Sequence, residues 1–239
     1  GDTNGGVSFW GSGTGNVVGG GAAGAGNVIS GNGGRGVLVG NASNGATIQG
    51  NYIGVGADGF TPIGNGTWGI KVEGGSTGTR IGTNADGSND VAEGNVLSGN
   101  AYGVTVSDSG TTGTVIAGNT IGLAANGSTI VANTSYGIQI GADASATTIG
   151  GVTTASRNVI SGNTSHGIIL ASTSTGTSIF NNYIGTDAAG AVAKANASGV
   201  WVDGSASNLI GQAGAGNLIS GNTYFGIVVD SATASGNLI

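Results

Sequence analysis

The sequence predicts an all-β chain wound into a solenoid of stacked coils. Three observations predict it. A heptapeptide, GNVISGN at 26–32, returns as GNVLSGN at 94–100, RNVISGN at 157–163 and GNLISGN at 216–222. A shorter pattern, glycine-apolar-x-apolar, recurs eight times: GVSF (6–9), GVLV (36–39), GIKV (69–72), GVTV (103–106), GIQI (137–140), GIIL (167–170), GVWV (199–202) and GIVV (226–229). Between these marks lie Gly, Asn, Ser, Thr and Asp, which suit tight bends, and no stretch of ten residues keeps a helical period.

The steps of the shorter pattern, 30, 33, 34, 34, 30, 32 and 27 residues, define one coil. Each coil holds about three apolar segments of strand length. The asparagines opening the heptapeptide, Asn27, Asn95, Asn158 and Asn217, are 68, 63 and 59 residues apart, so that unit spans two coils. A second motif lies inside it: GNYIG (50–54), GNTIG (118–122) and NNYIG (181–185). Its Asn51, Asn119 and Asn182 each fall 24 places after an opening asparagine. A third motif ends in Ile/Val-Gly, as in NVVGG, RIG, TIGG and NLIG. The double-length unit is therefore two coils with alternating loops. No two-residue hairpin code is present, so hairpins are not expected. Coils of short parallel strands stack about 4.8 Å apart, and eight make a rod of about 40 Å. Crossovers between parallel strands are right-handed in nearly all cases. The expected fold is a right-handed parallel β-helix of about eight coils of 27–34 residues.

Composition excludes several other classes. The chain has 54 glycines, one proline, no cysteine and no methionine among 239 residues, and only 7% are charged. An ordinary globular domain carries roughly 25%. The spaced Val and Ile argue against disorder, and no Gly-X-Y period marks a collagen. No apolar run is long enough to span a bilayer. A net charge of −6 with five Lys+Arg speaks against nucleic-acid partners. Without cysteine there is no disulfide or thiolate-metal scaffold.

The repeat resembles that of right-handed parallel β-helix proteins of bacterial surfaces and secretions, in the pectate-lyase-like superfamily, whose repeats read GNVISGN…GIxI…GNYIGTD. The match runs through Asn27-Val28-Ile29-Ser30-Gly31-Asn32 and Asn182-Tyr183-Ile184-Gly185-Thr186-Asp187, and covers essentially the whole chain. It implies the fold. It implies no single function, because β-helices serve as pectate lyases, epimerases, tailspikes, adhesins and passive stalks.

Alternation along a strand puts Asn27 on the face of Ile29, Asn95 with Leu97, Asn158 with Ile160, and Asn217 with Ile219. With the aliphatic side chains inside, these four asparagines are expected inside too, stacked as a ladder of amides bonding coil to coil. Each then avoids the roughly 1–3 kcal/mol cost of a buried unpaired group. The x of each glycine-apolar-x-apolar pattern should point outward. It reads Ser8, Leu38, Lys71, Thr105, Gln139, Ile169, Trp201 and Val228. Its last three members suggest an exposed apolar stripe.

Chemistry has little material. His166, the only histidine, falls in a column with Arg35, Trp68, Tyr102, Tyr136, Ser198 and Phe225, and reads as a stacking member. No Ser-His-Asp grouping, P-loop, HExxH or EF-hand pattern is present. Asp203 and Asp230 share one offset, which places them on adjacent coils, as solvated turn residues or as ligands of a Ca²⁺ ion. Asp58 and Asp187 follow YIG motifs at different offsets. The polysaccharide lyases of this fold need clustered acids and a nearby basic residue, whereas Arg35, Lys71, Arg80, Arg157 and Lys194 are scattered. Trp68, Tyr102 and Tyr136, on successive coils, are candidate sugar-stacking residues.

Residues 1–239 read as one β-helix domain, a segment of a longer array without caps of its own. Written end before beginning, Asn237-Leu238-Ile239 followed by Gly1 resembles Asn182-Tyr183-Ile184-Gly185. The function expected is a non-enzymatic structural module of an extracellular or cell-surface fibre, stalk or adhesin, stacking head to tail or continuing covalently. A carbohydrate-binding module and a polysaccharide lyase or hydrolase are the alternatives.

Overall fold

A computed structural model describes residues 4–239 other than 12, 23 and 172. The chain is a parallel β-solenoid of about seven turns, bounded by three sheets that run along its axis. The first sheet has eight strands: Gly5–Trp10, Arg35–Gly40, Trp68–Val72, Tyr102–Val106, Ile138–Ile140, Ile168–Leu170, Ser198–Asp203 and Phe225–Asp230. The second has seven: Val17–Gly19, Thr47–Gln49, Arg80–Gly82, Val115–Ala117, Thr148–Gly150, Ser178–Phe180 and Leu209–Ile210. The third has seven two-residue strands: Val28–Ile29, Tyr52–Ile53, Val96–Leu97, Thr120–Ile121, Val159–Ile160, Tyr183–Ile184 and Leu218–Ile219. Each strand pairs in parallel with its counterpart one coil away, in a register that sets like residues side by side.

The interior is a set of aliphatic columns. Ile48, Ile70, Ile81, Leu97, Ile116, Ile138, Ile149 and Ile160 are fully buried in one continuous core. The glycine that opens each first-sheet strand is required by crowding. A Cβ on Gly69 would lie 2.6 Å from the Gly103 carbonyl oxygen and 3.0 Å from Asn100 Nδ2, and the other glycines of the column meet the same obstacles except Gly226, which would meet only Ile219 at 3.7 Å.

The amide ladder is longer than expected. Asn27, Asn51, Asn95, Asn119, Asn158, Asn182 and Asn217 form one column at the corner between the second and third sheets. At every step Oδ1 accepts from the backbone N–H and the Nδ2 of the preceding coil, as in Asn95 to Asn119 at 3.1 and 2.9 Å. Asn51, Asn119 and Asn182 thus fill the alternate rungs between the four asparagines expected there. A second ladder, Asn32, Asn65, Asn100, Asn133, Asn163, Asn196 and Asn222, lines the corner between the third and first sheets with the same direction. At the remaining corner Thr79, Thr114, Thr147 and Thr177 are stacked in the interior. Their hydroxyls have no hydrogen-bond partner, and the column passes into an Asn208–Asn237 pair.

Loops alternate as the two-coil unit requires. One coil carries a long loop between its second- and third-sheet strands, such as 83–94, which includes the short helix Asp90–Glu93. The next carries a long loop after its third-sheet strand. These second loops correct one expectation: they are hairpin-like, closed by antiparallel bridges Val55–Pro62, Leu123–Ile130 and Thr186–Ala193. The hairpins stack, Ala125 N–H donating to Gly59 O at 3.0 Å and Ala188 N–H to Gly127 O at 2.9 Å. Gly59, at φ +71°, permits this, because its Cβ would lie 2.7 Å from that of Ala125.

Two further expectations are corrected. The outward x column is largely covered: Leu38, Thr105 and Ile169 are buried, and Trp201 is half-buried against His166. Each lies between its register neighbours one coil above and below, Leu38 between Ser8 and Lys71 and Ile169 between Gln139 and Trp201, so the column shields itself and leaves no free apolar stripe. The segment Asn237-Leu238-Ile239 has a different counterpart from the one its sequence suggests. Leu238 bridges Leu209 in parallel and Asn208 N–H donates to Asn237 Oδ1 at 3.0 Å, so its equivalent is Asn208-Leu209-Ile210 of the second sheet.

Candidate functional site

The aromatic column lies on the outer face of the first sheet and is continuous. Trp68 stacks on Tyr102 (centroids 6.1 Å), Tyr102 on Tyr136 (5.8 Å, tilted), Tyr136 on His166 (5.7 Å) and His166 on Trp201 (4.7 Å). Parallel pairing at one-coil spacing brings Trp68, Tyr102, Tyr136 and His166, of like position, into contact, whereas Trp201 reaches His166 from the position paired with Ile169. Arg35 and Lys71 lie over the Trp68 ring at 5.4 and 4.4 Å, and Lys71 pairs with Glu73. Trp68, Tyr102 and Tyr136 are thereby engaged by neighbours, and all three are half-buried. His166 is held between two rings. Burial pushes its imidazole below the ordinary value of 6.5, and its Nδ1 has no hydrogen-bond partner.

Asp203 and Asp230 are in register on adjacent first-sheet strands, and both are exposed. Asp230 Oδ1 accepts from the Ser231 N–H at 2.8 Å. Among the described residues no group of three or more His, Asp and Glu side chains gathers.

The other carboxylates hold loops. The Thr61 hydroxyl donates to Asp58 Oδ2 at 2.6 Å, and the Thr61 and Phe60 N–H groups donate to Oδ1 at 2.9 Å. These bonds favour the ionised form and lower the Asp58 carboxyl to about 2. Asn126 Oδ1 does the same work in the next hairpin, accepting from Ser128 and Thr129 N–H. Asp187 sits two positions earlier in its hairpin and accepts from the Ala191 and Val192 N–H groups, which lower its pKa. The different offsets of Asp58 and Asp187 are therefore two ways of closing one kind of loop.

A groove not expected from the sequence runs along the outer face of the third sheet. Its volume is about 670 Å³, and Val28, Tyr52, Val96, Thr120 and Val159 form its floor, one from each of five successive coils. The stacked hairpins make one wall, through Ala57, Ala125 and Ala188. The loops between the second and third sheets make the other, through Val91 and Thr154 among others. Arg157 stands at this wall, its Nη2 donating to Asn181 Oδ1 at 2.8 Å and its guanidinium 4.2 Å from the Tyr183 ring centre. The missed signal is the alternation Val, Tyr, Val, Thr, Val at the second residue of each Asn-x-Ile/Leu motif, which marks the outward column of the third sheet.

No helix among the described residues is long and apolar enough to cross a membrane. No family model and no curated relative matches the sequence. Among solved structures the chain is similar to a double mutant of the periplasmic alginate epimerase AlgG, at 17% identity and a TM-score of 0.65. The likeness covers 98% of this chain and 46% of the epimerase. At that identity the likeness is one of fold, and it agrees with the three-sheet architecture: the chain is a parallel β-helix.

Proposed function

We propose that the chain is a structural β-solenoid module of an extracellular or cell-surface fibre, stalk or adhesin, part of an array that continues or stacks end to end. The observation that carries this is the pair of asparagine ladders. The same two hydrogen-bonded corners recur in coil after coil, so the rod lengthens without any new kind of contact. The use of Asp58, Asp187 and Arg157 within loops supports the same reading. Electron microscopy and sedimentation of the native protein test it. Rods longer than about 40 Å, the length of eight coils, are expected. A discrete monomeric rod with solvent at both ends would refute it.

The fold shared with an alginate epimerase favours a second, polysaccharide-directed reading. In its binding form the contacts fall to Trp68, Tyr102 and Tyr136, and a glycan array with Trp68→Ala as control tests it. In its enzymatic form, the chain releases unsaturated product from pectate or alginate, and Asp203→Asn abolishes the release. A Ca²⁺ ion between Asp203 and Asp230 is compatible with either reading.

A further inference from the structure

We propose that the groove along the third sheet binds an extended, uncharged β-1,4-linked polysaccharide, one sugar ring to each coil. This site lies on a different face from the aromatic column, and its failure would leave the structural reading intact.

The groove is built before any ligand arrives. Its hairpin wall is joined loop to loop by the Ala125-to-Gly59 and Ala188-to-Gly127 hydrogen bonds. That wall is seated on the sheet by Val55, Ala124 and Val131, which pack against Val96 and Tyr52; Val96 keeps only 7% of its surface exposed on the floor, so the hairpins narrow the groove there. The opposite wall is joined in the same way, Gly50 N–H donating to Glu93 O at 2.9 Å and Gly118 N–H to Ser156 O at 3.1 Å. Binding therefore orders little of the protein, which favours a site over a mobile surface.

Length and period select a polymer. Five floor residues span four coil steps, about 19 Å. The floor alternates valine, at Val28, Val96 and Val159, with the hydroxyl-bearing Tyr52 and Thr120, and each kind of wall loop returns every second coil. The full period is thus two coils, about 9.6 Å. An extended β-1,4-linked hexose chain advances by close to one coil rise per ring and turns alternate rings over. Like edges of the sugar then meet like positions of the groove.

The lining selects an uncharged chain. Of the five Lys and Arg residues only Arg157 reaches the groove, and Asn181 and Tyr183 hold it. The single lining carboxylate, Asp90, accepts from the Thr83 hydroxyl at 3.1 Å and the Gly87 N–H at 3.1 Å. The remaining surface is alanine, valine and glycine with Tyr52, the ladder asparagines Asn27 and Asn95, and the Thr120 and Thr154 hydroxyls, a mixture suited to the C–H faces and hydroxyl edges of a sugar. A polyanion would find one engaged cation on a chain of net charge −6.

Calorimetric titration of the whole chain with cellohexaose, chitohexaose and a hexauronate tests this. A neutral hexasaccharide is expected to bind, with affinity rising from the disaccharide to the pentasaccharide and then levelling. Ala125→Arg and Thr154→Trp fill the groove from opposite walls, and each is expected to weaken binding at least about tenfold, while Ser235→Ala, in an exposed loop away from both the groove and the aromatic column, leaves it unchanged. Melting curves and circular dichroism identify any variant that fails to fold, and the second wall then carries the test. The proposal is overturned by absence of neutral-sugar binding at millimolar concentration. It is equally overturned by binding indifferent to both wall substitutions, or by tighter binding of the hexauronate.

Discussion

Replacing Asn119 by alanine tests what the ladders contribute. Asn119 is buried in the middle of the first ladder. Its Nδ2 donates to Ile81 O, Ala117 O and Asn158 Oδ1 at 2.9, 3.0 and 3.1 Å, and its Oδ1 accepts from Asn95 N–H and Nδ2. Truncation removes all five bonds. Asn95 Nδ2 keeps Ile48 O, Ala117 O keeps Thr83 N–H, and Asn158 Oδ1 keeps Asn119 N–H. The Asn95 backbone N–H is left buried and unpaired, which by itself costs about 1–3 kcal/mol. With the lost bonds and the small void, a total of about 3–5 kcal/mol is expected. Asn119→Asp should cost more at neutral pH, because a carboxylate cannot donate to the three oxygens that Nδ2 now serves. Asn126→Ala, at an exposed hairpin tip, is the control. Urea unfolding followed by circular dichroism measures all three. A loss below about 1 kcal/mol for Asn119→Ala would refute the view that the ladder is a principal source of stability.

Three further outcomes are expected. Ile160→Asp places an unpaired charge in the core and should cost several kcal/mol, and an unchanged melting temperature would overturn the inward assignment of that strand. Thr147→Val exchanges a buried, partnerless hydroxyl for a methyl group and should stabilise the chain by about 1 kcal/mol; a destabilised variant would mean that the hydroxyl has a partner. His166 has its folded pKa below the ordinary 6.5, so the folded chain binds fewer protons than the unfolded chain as pH falls below that value. Stability should therefore drop on acidification through this range, and less steeply in His166→Gln; identical urea midpoints against pH in the two proteins would disprove it.

The fold was legible because each coil repeats the same constraints. Glycine must stand in each first-sheet strand that another strand follows, to clear the next backbone, and aliphatic residues must alternate, so both leave a period in the sequence. The opening asparagines were readable because each shares a strand face with a core residue such as Ile160. The second ladder was not, although its members stand three or four residues before the glycine of each glycine-apolar-x-apolar pattern, as Asn65 does before Gly69. Asparagine beside glycine also marks a solvated turn, and only the closed corner separates the two cases. The groove was illegible for another reason. Its walls are loops that meet across two or more coils, and the bonds joining them, such as Ala125 to Gly59, run between backbone groups; the residue they require, Gly59, reads in the sequence as one more turn glycine.

The one-way sense of the ladders gives the rod an electrical direction. Seven amides in each column point the same way, oxygen toward the first coil and hydrogens toward the last, and their dipoles add rather than cancel. A peptide-like amide carries about 3.5 D, and aligned dipoles in a helix leave about half a charge at each end. By the same reasoning the rod is negative at its Asn27 and Asn32 end and positive at its Asn217 and Asn222 end. Whatever lies beyond either end, more of the same chain or another copy, meets a polarity that only one orientation satisfies. Two rods set end to end in opposite senses would oppose oxygen to oxygen, or hydrogen to hydrogen, at both corners at once.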